Sequence, residues 1–276
     1  MAVYHADALV IRSREFGESD RVLTLYTREL GKLQAVAKGV RKPKSRQRAG
    51  AQLFTYGDFL IHKGKSLDTV NQCSPKESFP YLRSDLERLF AAVGMAELLD
   101  VSTIPAQPNP PVFGLTLTCF FLLEAVEPAL VLSAYALRLM AHMGYRPCLG
   151  ECAVCGENVE GESLFFSPEA GGTVCSVCRE TGGTISTNHQ EAGSTENHNQ
   201  PATGYGRWIR AGSAAFMRQL MQADFAKIDR LRWNEQTRQE IIKALRQFAE
   251  YTYEKPLKSW RQRNFSATGS DGAGKR

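Results

Sequence analysis

The chain has 276 residues, of which 43% are hydrophobic and 23% are charged, and its formal net charge is +5. These proportions are typical of packed globular proteins and argue against a disordered chain. The length suits one large domain or two to three small ones. No signal peptide follows Met1, and the longest apolar stretch, 112–126, is too short and too polar to span a bilayer. We therefore expect a cytoplasmic protein with no membrane partner.

The charge is spread unevenly along the chain. Residues 1–80 carry 14 Lys and Arg against 8 acidic residues, and residues 205–276 carry 15 against 7. Residues 151–204, by contrast, carry 1 against 8. Two basic ends around an acidic centre indicate a polyanionic partner for the ends.

The first 79 residues are predicted to form short strands separated by glycine-containing turns. The segment 21–27 alternates, with Leu23 and Leu25 on one face and Val22 and Tyr26 on the other. Further strands are expected around 33–37, 54–61 and 69–73. About five short strands in this length favour a small closed barrel of the OB-fold type over a sandwich.

From Pro80 the apolar spacing becomes helical, and Ser84 with Glu87 is predicted to form a capping box at the start of the first helix. Four further helices are expected at about 112–124, 129–143, 208–225 and 234–253. Residues 181–204 are rich in small polar residues and are predicted to be a flexible insertion.

Four cysteines form two C-x2-C pairs separated by nineteen residues: Cys152, Cys155, Cys175 and Cys178. Two residues between thiolates allow a tight turn to direct both sulfurs at one ion, and Gly156 follows the first pair as such a turn requires. Four thiolates would fill the coordination sphere of Zn²⁺ and leave no position for substrate. The spacing therefore predicts a structural zinc site, whereas Cys73 and Cys119 are expected to be ordinary core residues.

The connection between the predicted strands at 33–37 and 54–61 is strongly basic. Residues 38–48 hold six cations and no acidic residue, so they are predicted to form a loop that contacts phosphates without reading sequence. A second basic segment near the C-terminus comprises Lys243, Arg246, Lys255, Lys258, Arg261 and Arg263. Four barrel aromatics could stack on bases, although strand spacing favours a core role for them: Tyr26, Phe54, Tyr56 and Phe59.

The catalytic patterns G-x-S-x-G, H-E-x-x-H and G-x-G-x-x-G do not occur, and no acidic cluster resembles a two-metal nuclease. We therefore expect that the chain is not an enzyme. Two alternatives remain open. One is an RNA-binding barrel and zinc protein of translation or RNA processing, and the other is a metal-dependent nuclease whose site these patterns miss.

Together, these features predict an α+β multidomain protein with an N-terminal OB-fold-like β-barrel, a helical domain and a four-cysteine zinc module. The expected division is a barrel at 1–79, helical parts at 80–147 and 205–262, the zinc module at 148–180, the polar insertion at 181–204 and a disordered tail at 263–276.

Several strings resemble the bacterial RecO family of recombination mediators. They are residues 8–25 (ALVIRSREFGESDRVLTL), 31–33 (GKL), 37–39 (AKG), 41–45 (RKPKS), 144–147 (GYRP), 166–172 (FSPEAGG), 256–259 (PLKS) and the four cysteines. The resemblance covers about 1–180 and 205–262. The insertion at 181–204 is not a feature that we associate with the family.

The resemblance implies a DNA repair protein that binds single- and double-stranded DNA and anneals complementary strands. It also implies RecR and the C-terminal tail of single-strand binding protein as partners, a role in loading RecA onto coated single strands in the RecFOR pathway, and association with the bacterial nucleoid. The residues expected to contact DNA are Arg14, Lys38, Arg41, Lys42, Lys44 and Arg46.

Overall fold

The computed structural model describes residues 2–45, 47–181 and 204–261. Arg46, residues 182–203 of the predicted insertion and the predicted tail at 263–276 lie outside the described residues. None of the helices in the described part of the chain is long and apolar enough to cross a membrane.

Five strands form a closed barrel at the N-terminus, in the order β1-β2-β3-β5-β4. They are β1 (Val3–Phe16), β2 (Asp20–Thr27), β3 (Gly31–Ala37), β4 (Tyr56–His62) and β5 (Asp68–Glu77). The long β1 pairs with β2 through its second half and with β4 through its first half, and β3 and β5 close the barrel in parallel. The predicted OB-fold-like barrel is confirmed.

The barrel is apolar on two sides. Its interior is filled by small and branched side chains together with Phe59. On the outside, Leu9, Ile11, Tyr26 and Phe54 belong instead to the core of the helical part of the protein. The strand β2 therefore buries both of its faces, and Val22 and Tyr26 are buried as well as Leu23 and Leu25.

Three of the four aromatics that could have stacked on bases are not accessible, because Tyr26, Phe54 and Phe59 are buried. Tyr56 is half-buried, and its hydroxyl donates a hydrogen bond to Asp7 at 2.9 Å. The core role that strand spacing favoured is the one that the structure shows.

Four helices follow the barrel: α1 (Tyr81–Ser84), α2 (Leu86–Ser102), α3 (Pro110–Leu122) and α4 (Pro128–His142). The predicted Ser84–Glu87 capping box is wrong, because Asp85 is the N-cap of α2 and accepts from the backbone N–H groups of Glu87 and Arg88. A carboxylate is as good a cap as a serine hydroxyl, and it also interacts favourably with the helix dipole.

A three-stranded sheet comes next, built from β6 (Ser163–Ser167), β7 (Gly172–Val174) and β8 (Arg207–Arg210), with the short helix α5 (Ser176–Thr181) after β7. The strand β8 pairs with β6, so the sheet contains residues from both sides of the predicted insertion. The helix predicted from 208 therefore begins later than expected, because residues 207–210 are recruited into this sheet.

The last described residues form helices that pack on α4 and α2. They are α6 (Ala211–Gln222), a 3-10 turn (Phe225–Arg230), α7 (Glu235–Thr252) and α8 (Lys258–Arg261). Asn234 caps α7 by accepting from the backbone N–H of Thr237 at 2.8 Å. Buried residues of α2, α3, α4, α6 and α7 share one apolar core, which confirms the helical part of the predicted fold.

Candidate metal centre and nucleic-acid interface

The four predicted ligands Cys152, Cys155, Cys175 and Cys178 are brought together, with their sulfur atoms all within 4.8 Å of one another. The sulfurs of Cys155 and Cys175 are 3.8 Å apart. Four sulfurs placed about 2.3 Å from a tetrahedral ion would be separated by about 3.8 Å. The cluster could therefore hold one metal ion, and its dimensions are consistent with zinc.

Two backbone turns position these sulfurs. In the first turn, Gly156 has φ +80° and its N–H donates to the carbonyl of Cys152 at 2.8 Å. In the second turn, Cys175 immediately precedes α5 and Cys178 lies within the helix. The backbone N–H of Cys178 is directed at the sulfur of Cys175 at 3.4 Å, which is favourable for a thiolate.

Metal ligation requires deprotonated cysteines, and the surroundings of Cys152 favour that form. Burial opposes ionisation of its thiol, but hydrogen bonds from the backbone N–H groups of Cys155, Cys175 and Val154 lower its pKa to about 6. Cys73 behaves in the opposite way, since burial raises its pKa to about 12. Burial also raises the pKa of the predicted ligand Cys178, so the convergence of the four sulfurs, and not their pKa values, supports the ligand role.

Two arginines hold the sheet beside the cysteines, one by packing on its rings and the other by contacting the helical core. The guanidinium of Arg179 lies between the rings of Phe165 and Trp208, at 4.7 and 4.6 Å from their centroids. Arg210 of β8 donates to the carboxylate of Glu240 in α7 at 3.0 Å. The candidate metal centre is thus attached to the helical core through β8.

The basic loop is defined here as residues 38–48, and it leaves the barrel at the end of β3. Lys38, Arg41, Lys42 and Lys44 are exposed there, as predicted for phosphate contacts, whereas the predicted contact Arg46 lies outside the described residues. No salt bridge within the described chain engages Lys38, Lys42 or Lys44. Their charges are available to an outside anion.

The start of the basic loop is held in place by Asp20. Its carboxylate accepts from the backbone N–H of Gly39 at 2.8 Å and from the hydroxyl of Ser19 at 2.9 Å. The Gly39 hydrogen bond is the main reason that the pKa of Asp20 is lowered, and the charges of Lys38 and Lys42 add to it. The cations of the loop therefore begin from a fixed turn.

The strand register brings a further predicted contact to the same end of the barrel. Glu15 of β1 pairs with Arg21 of β2, and Arg21 pairs with Ala37 of β3, the residue before Lys38. Arg14 is exposed and is adjacent in sequence to Glu15, the first of these three paired residues. The register brings Arg14 and the basic loop to one end of the barrel.

The second basic segment is partly neutralised. Arg246 pairs with Glu250 at 3.7 Å and Arg261 pairs with the same carboxylate at 3.2 Å. Arg263 lies outside the described residues. This segment therefore offers less free charge than its sequence indicates.

A closed OB-like barrel with an exposed basic loop, joined to a helical core and a four-cysteine cluster, defines a class of nucleic-acid-handling proteins. Two family models that match the chain support this class. The model described as Recombination protein O N terminal matches residues 1–79, and the model described as Recombination protein O C terminal matches 83–194 and 173–261.

The chain is similar to curated relatives over almost its whole length. A DNA repair protein RecO of Desulfitobacterium hafniense (strain Y51) is 57% identical over 96% of this chain and 90% of the relative. The DNA repair protein RecO of Pelotomaculum thermopropionicum is 37% identical over 94% of this chain and 93% of its own length. The chain belongs to the RecO family, and this membership supports a role in DNA repair.

Proposed function

We propose that this chain binds single- and double-stranded DNA through its barrel, anneals complementary strands and, together with RecR, helps to load RecA onto strands coated with single-strand binding protein. The observation that supports this most directly is the exposed basic loop, whose Lys38, Lys42 and Lys44 enter no salt bridge within the described chain. Family membership supports the same direction. Such work takes place in the bacterial cytoplasm, at the nucleoid.

Annealing needs no catalytic group. Two complementary strands repel each other through their phosphates, and a surface that binds both strands lowers this repulsion. Lys and Arg that replace condensed counterions bind either strand whatever its sequence. The buried rings of Tyr26, Phe54 and Phe59 are not available to stack on bases.

The four cysteines are proposed to bind Zn²⁺ in a structural role. Four thiolates complete a tetrahedral coordination sphere, so the ion would organise the sheet of β6, β7 and β8 and would not activate water. The small apolar cluster that includes Cys152, Phe165 and Val174 is too limited to hold this region on its own.

The acidic tail of single-strand binding protein needs an apolar cavity with a basic rim. A cavity of about 240 Å³ between the barrel and the helices meets this need. It is lined by Leu53, Phe54, Phe79, Leu82 and Leu89, and its charged lining residues are Arg21 and Arg83. We propose it as the position of the tail.

The DNA-binding proposal is tested by two matched double variants. Lys42→Ala/Lys44→Ala removes two charges from the basic loop. Lys63→Ala/Lys65→Ala removes two exposed charges after β4, beyond His62, which pairs with Val3 at the opposite end of β1 from the loop. Binding to labelled single-stranded DNA and to RNA of the same sequence is measured against salt concentration.

We expect the first variant to reduce the magnitude of the slope of log K against log salt by about 1.4 for single strands, and the control to leave it unchanged. Equal effects of the two variants would contradict the proposed site. Tighter binding to RNA than to DNA would favour the RNA-binding alternative, and cleavage of DNA with magnesium would favour a nuclease.

A further inference from the structure

The mouth of the barrel beside the basic loop contains a pocket of about 300 Å³ with three arginines around it. Its lining consists of Arg21, Val40, Arg41, Arg48, Ala51 and Gln52. Val40 and Ala51 are buried and belong to the barrel core, so they close the floor. The pocket is therefore a concave site with an apolar base and a cationic rim.

One of the three arginines comes from β2, and the other two come from the basic loop. Arg21 lies at the start of β2, where it pairs with Ala37 and donates to the hydroxyl of Ser13 at 3.3 Å. Arg41 follows β3, and its guanidinium donates to the carbonyl of Gly17 at 3.4 Å. Arg48 lies on the connection to β4 and is exposed. The cationic rim therefore combines one arginine of a barrel strand with two of the basic loop.

The charges around the pocket are unbalanced. Glu15 approaches Arg41 at 3.3 Å and Arg21 at 4.0 Å, and its side chain is 62% exposed. No carboxylate of the described chain forms a salt bridge with Arg48, and none lines the pocket. Three guanidinium groups thus face one solvated carboxylate, which leaves an excess of two positive charges.

Guanidinium groups match the geometry of phosphate oxygens and bind them with paired hydrogen bonds. We propose that this pocket binds one phosphate group of a nucleic-acid strand and thereby fixes the strand at the mouth of the barrel. This rests on the proposed DNA-binding function and adds Arg21 and Arg48 to its contacts. The group is either a terminal phosphate, whose charge approaches −2 at neutral pH, or an internal phosphodiester.

Arg48 is the residue to change, because Arg21 and Arg41 also hydrogen-bond within the barrel. Arg48→Ala removes both the charge and the paired N–H donors of the guanidinium group, whereas Arg48→Lys keeps the charge without the paired donors. Lys44→Ala is the matched control, since it removes one exposed charge from the same loop outside the pocket. Unchanged thermal unfolding of each variant confirms that the fold is intact.

Affinity is measured by fluorescence anisotropy on one single-stranded oligonucleotide in two forms, with a 5′-phosphate and with a 5′-hydroxyl. We expect Arg48→Ala to weaken binding by about ten- to a hundredfold, the loss for a hydrogen bond to a charged group. Lys44→Ala should weaken it only a fewfold, and Arg48→Lys should recover only part of the loss.

The two oligonucleotides identify the source of the phosphate. A loss confined to the 5′-phosphorylated strand assigns the pocket to a terminal phosphate, and an equal loss on both strands assigns it to the phosphodiester backbone. The pocket proposal is overturned if Arg48→Ala weakens binding no more than Lys44→Ala, or if Arg48→Lys restores binding fully. Failure of the wild-type chain to bind either oligonucleotide would instead overturn the proposed function.

Discussion

The ring of Tyr26 in the barrel lies against the ring of Phe113 in α3, with centroids 6.2 Å apart and planes inclined by 29°. Phe113 also meets the edge of Tyr56 at 6.2 Å, and the guanidinium of Arg28 lies 5.0 Å from its centroid. A single helical side chain therefore contacts three residues of the barrel. The barrel and the helices share a core at this point and are held as one unit.

Replacing Phe113 with alanine should therefore destabilise the whole protein. We expect a loss of about 3–5 kcal/mol in the free energy of unfolding, as for other buried Phe→Ala changes. Phe121→Ala in the same helix is the control, because Phe121 is 47% exposed and should cost markedly less. Urea unfolding followed by fluorescence and circular dichroism measures both variants, and equal losses would contradict a shared core at Phe113.

The hydrogen bond between Asp20 and Gly39 should make the start of the basic loop sensitive to acid. The pKa of Asp20 is lowered chiefly by the Gly39 N–H, so the anchoring is complete above the ordinary aspartate pKa of about 3.9 and is lost as the pH falls through the lowered value. The amide signal of Gly39, followed by NMR during an acid titration, should report this lowered pKa.

Asp20→Ala should abolish that titration and speed hydrogen exchange at the Gly39 amide. The control is Asp58→Ala, which removes a carboxylate of β4 that pairs with His5 and should leave Gly39 unaffected. Unchanged exchange at Gly39 in Asp20→Ala would show that the turn is held by other contacts.

The third prediction concerns metal content, and Cys148, a cysteine near the cluster that is not a predicted ligand, provides the control. Purified wild-type protein should contain about one equivalent of zinc, and Cys178→Ser should lose most of it. Cys148→Ser should retain zinc, since Cys148 lies outside the cluster and its thiol donates to the carbonyl of Glu151. Metal analysis by mass spectrometry distinguishes these outcomes, and less than half an equivalent in the wild-type protein would contradict the site.

The cavity between the barrel and the helices should bind an acidic peptide through Arg83. Arg83→Ala should weaken binding of the single-strand binding protein tail by about tenfold, the loss for one hydrogen bond to a charged group. Lys44→Ala, which lies outside this cavity, should leave peptide binding unchanged. Calorimetry with the isolated tail measures this, and an unaltered affinity in Arg83→Ala would place the tail elsewhere.

Local sequence signals predicted the cysteine cluster and the basic loop well, because each depends on residues close together in the chain. Two C-x2-C pairs are enough to indicate a metal site, and the cluster of Cys152 with its three partners follows from their spacing alone. The same holds for the exposure of Lys42 and Lys44, since lysine side chains are almost never fully buried without a partner.

Features that depend on distant contacts were not predictable. Tyr26 and Phe54 have the strand spacing expected either of core residues or of a stacking surface, and only the position of α3 decides between them. Trp208 has helical neighbours in sequence but joins β6 through pairing across the insertion. Arg21 has the sequence context of an ordinary strand residue, and its convergence with Arg48 arises from barrel closure.

The proposed function depends on charge at the basic loop, and strand annealing tests it most directly. Complementary labelled strands are mixed with the wild-type chain, with Lys38→Ala/Arg41→Ala/Lys42→Ala/Lys44→Ala, or with the Lys63→Ala/Lys65→Ala control, and the rate of duplex formation is followed by energy transfer. We predict that the wild-type chain and the control accelerate annealing and that the quadruple variant loses most of this acceleration. Annealing by the quadruple variant at the wild-type rate would contradict the assignment of DNA binding to the basic loop.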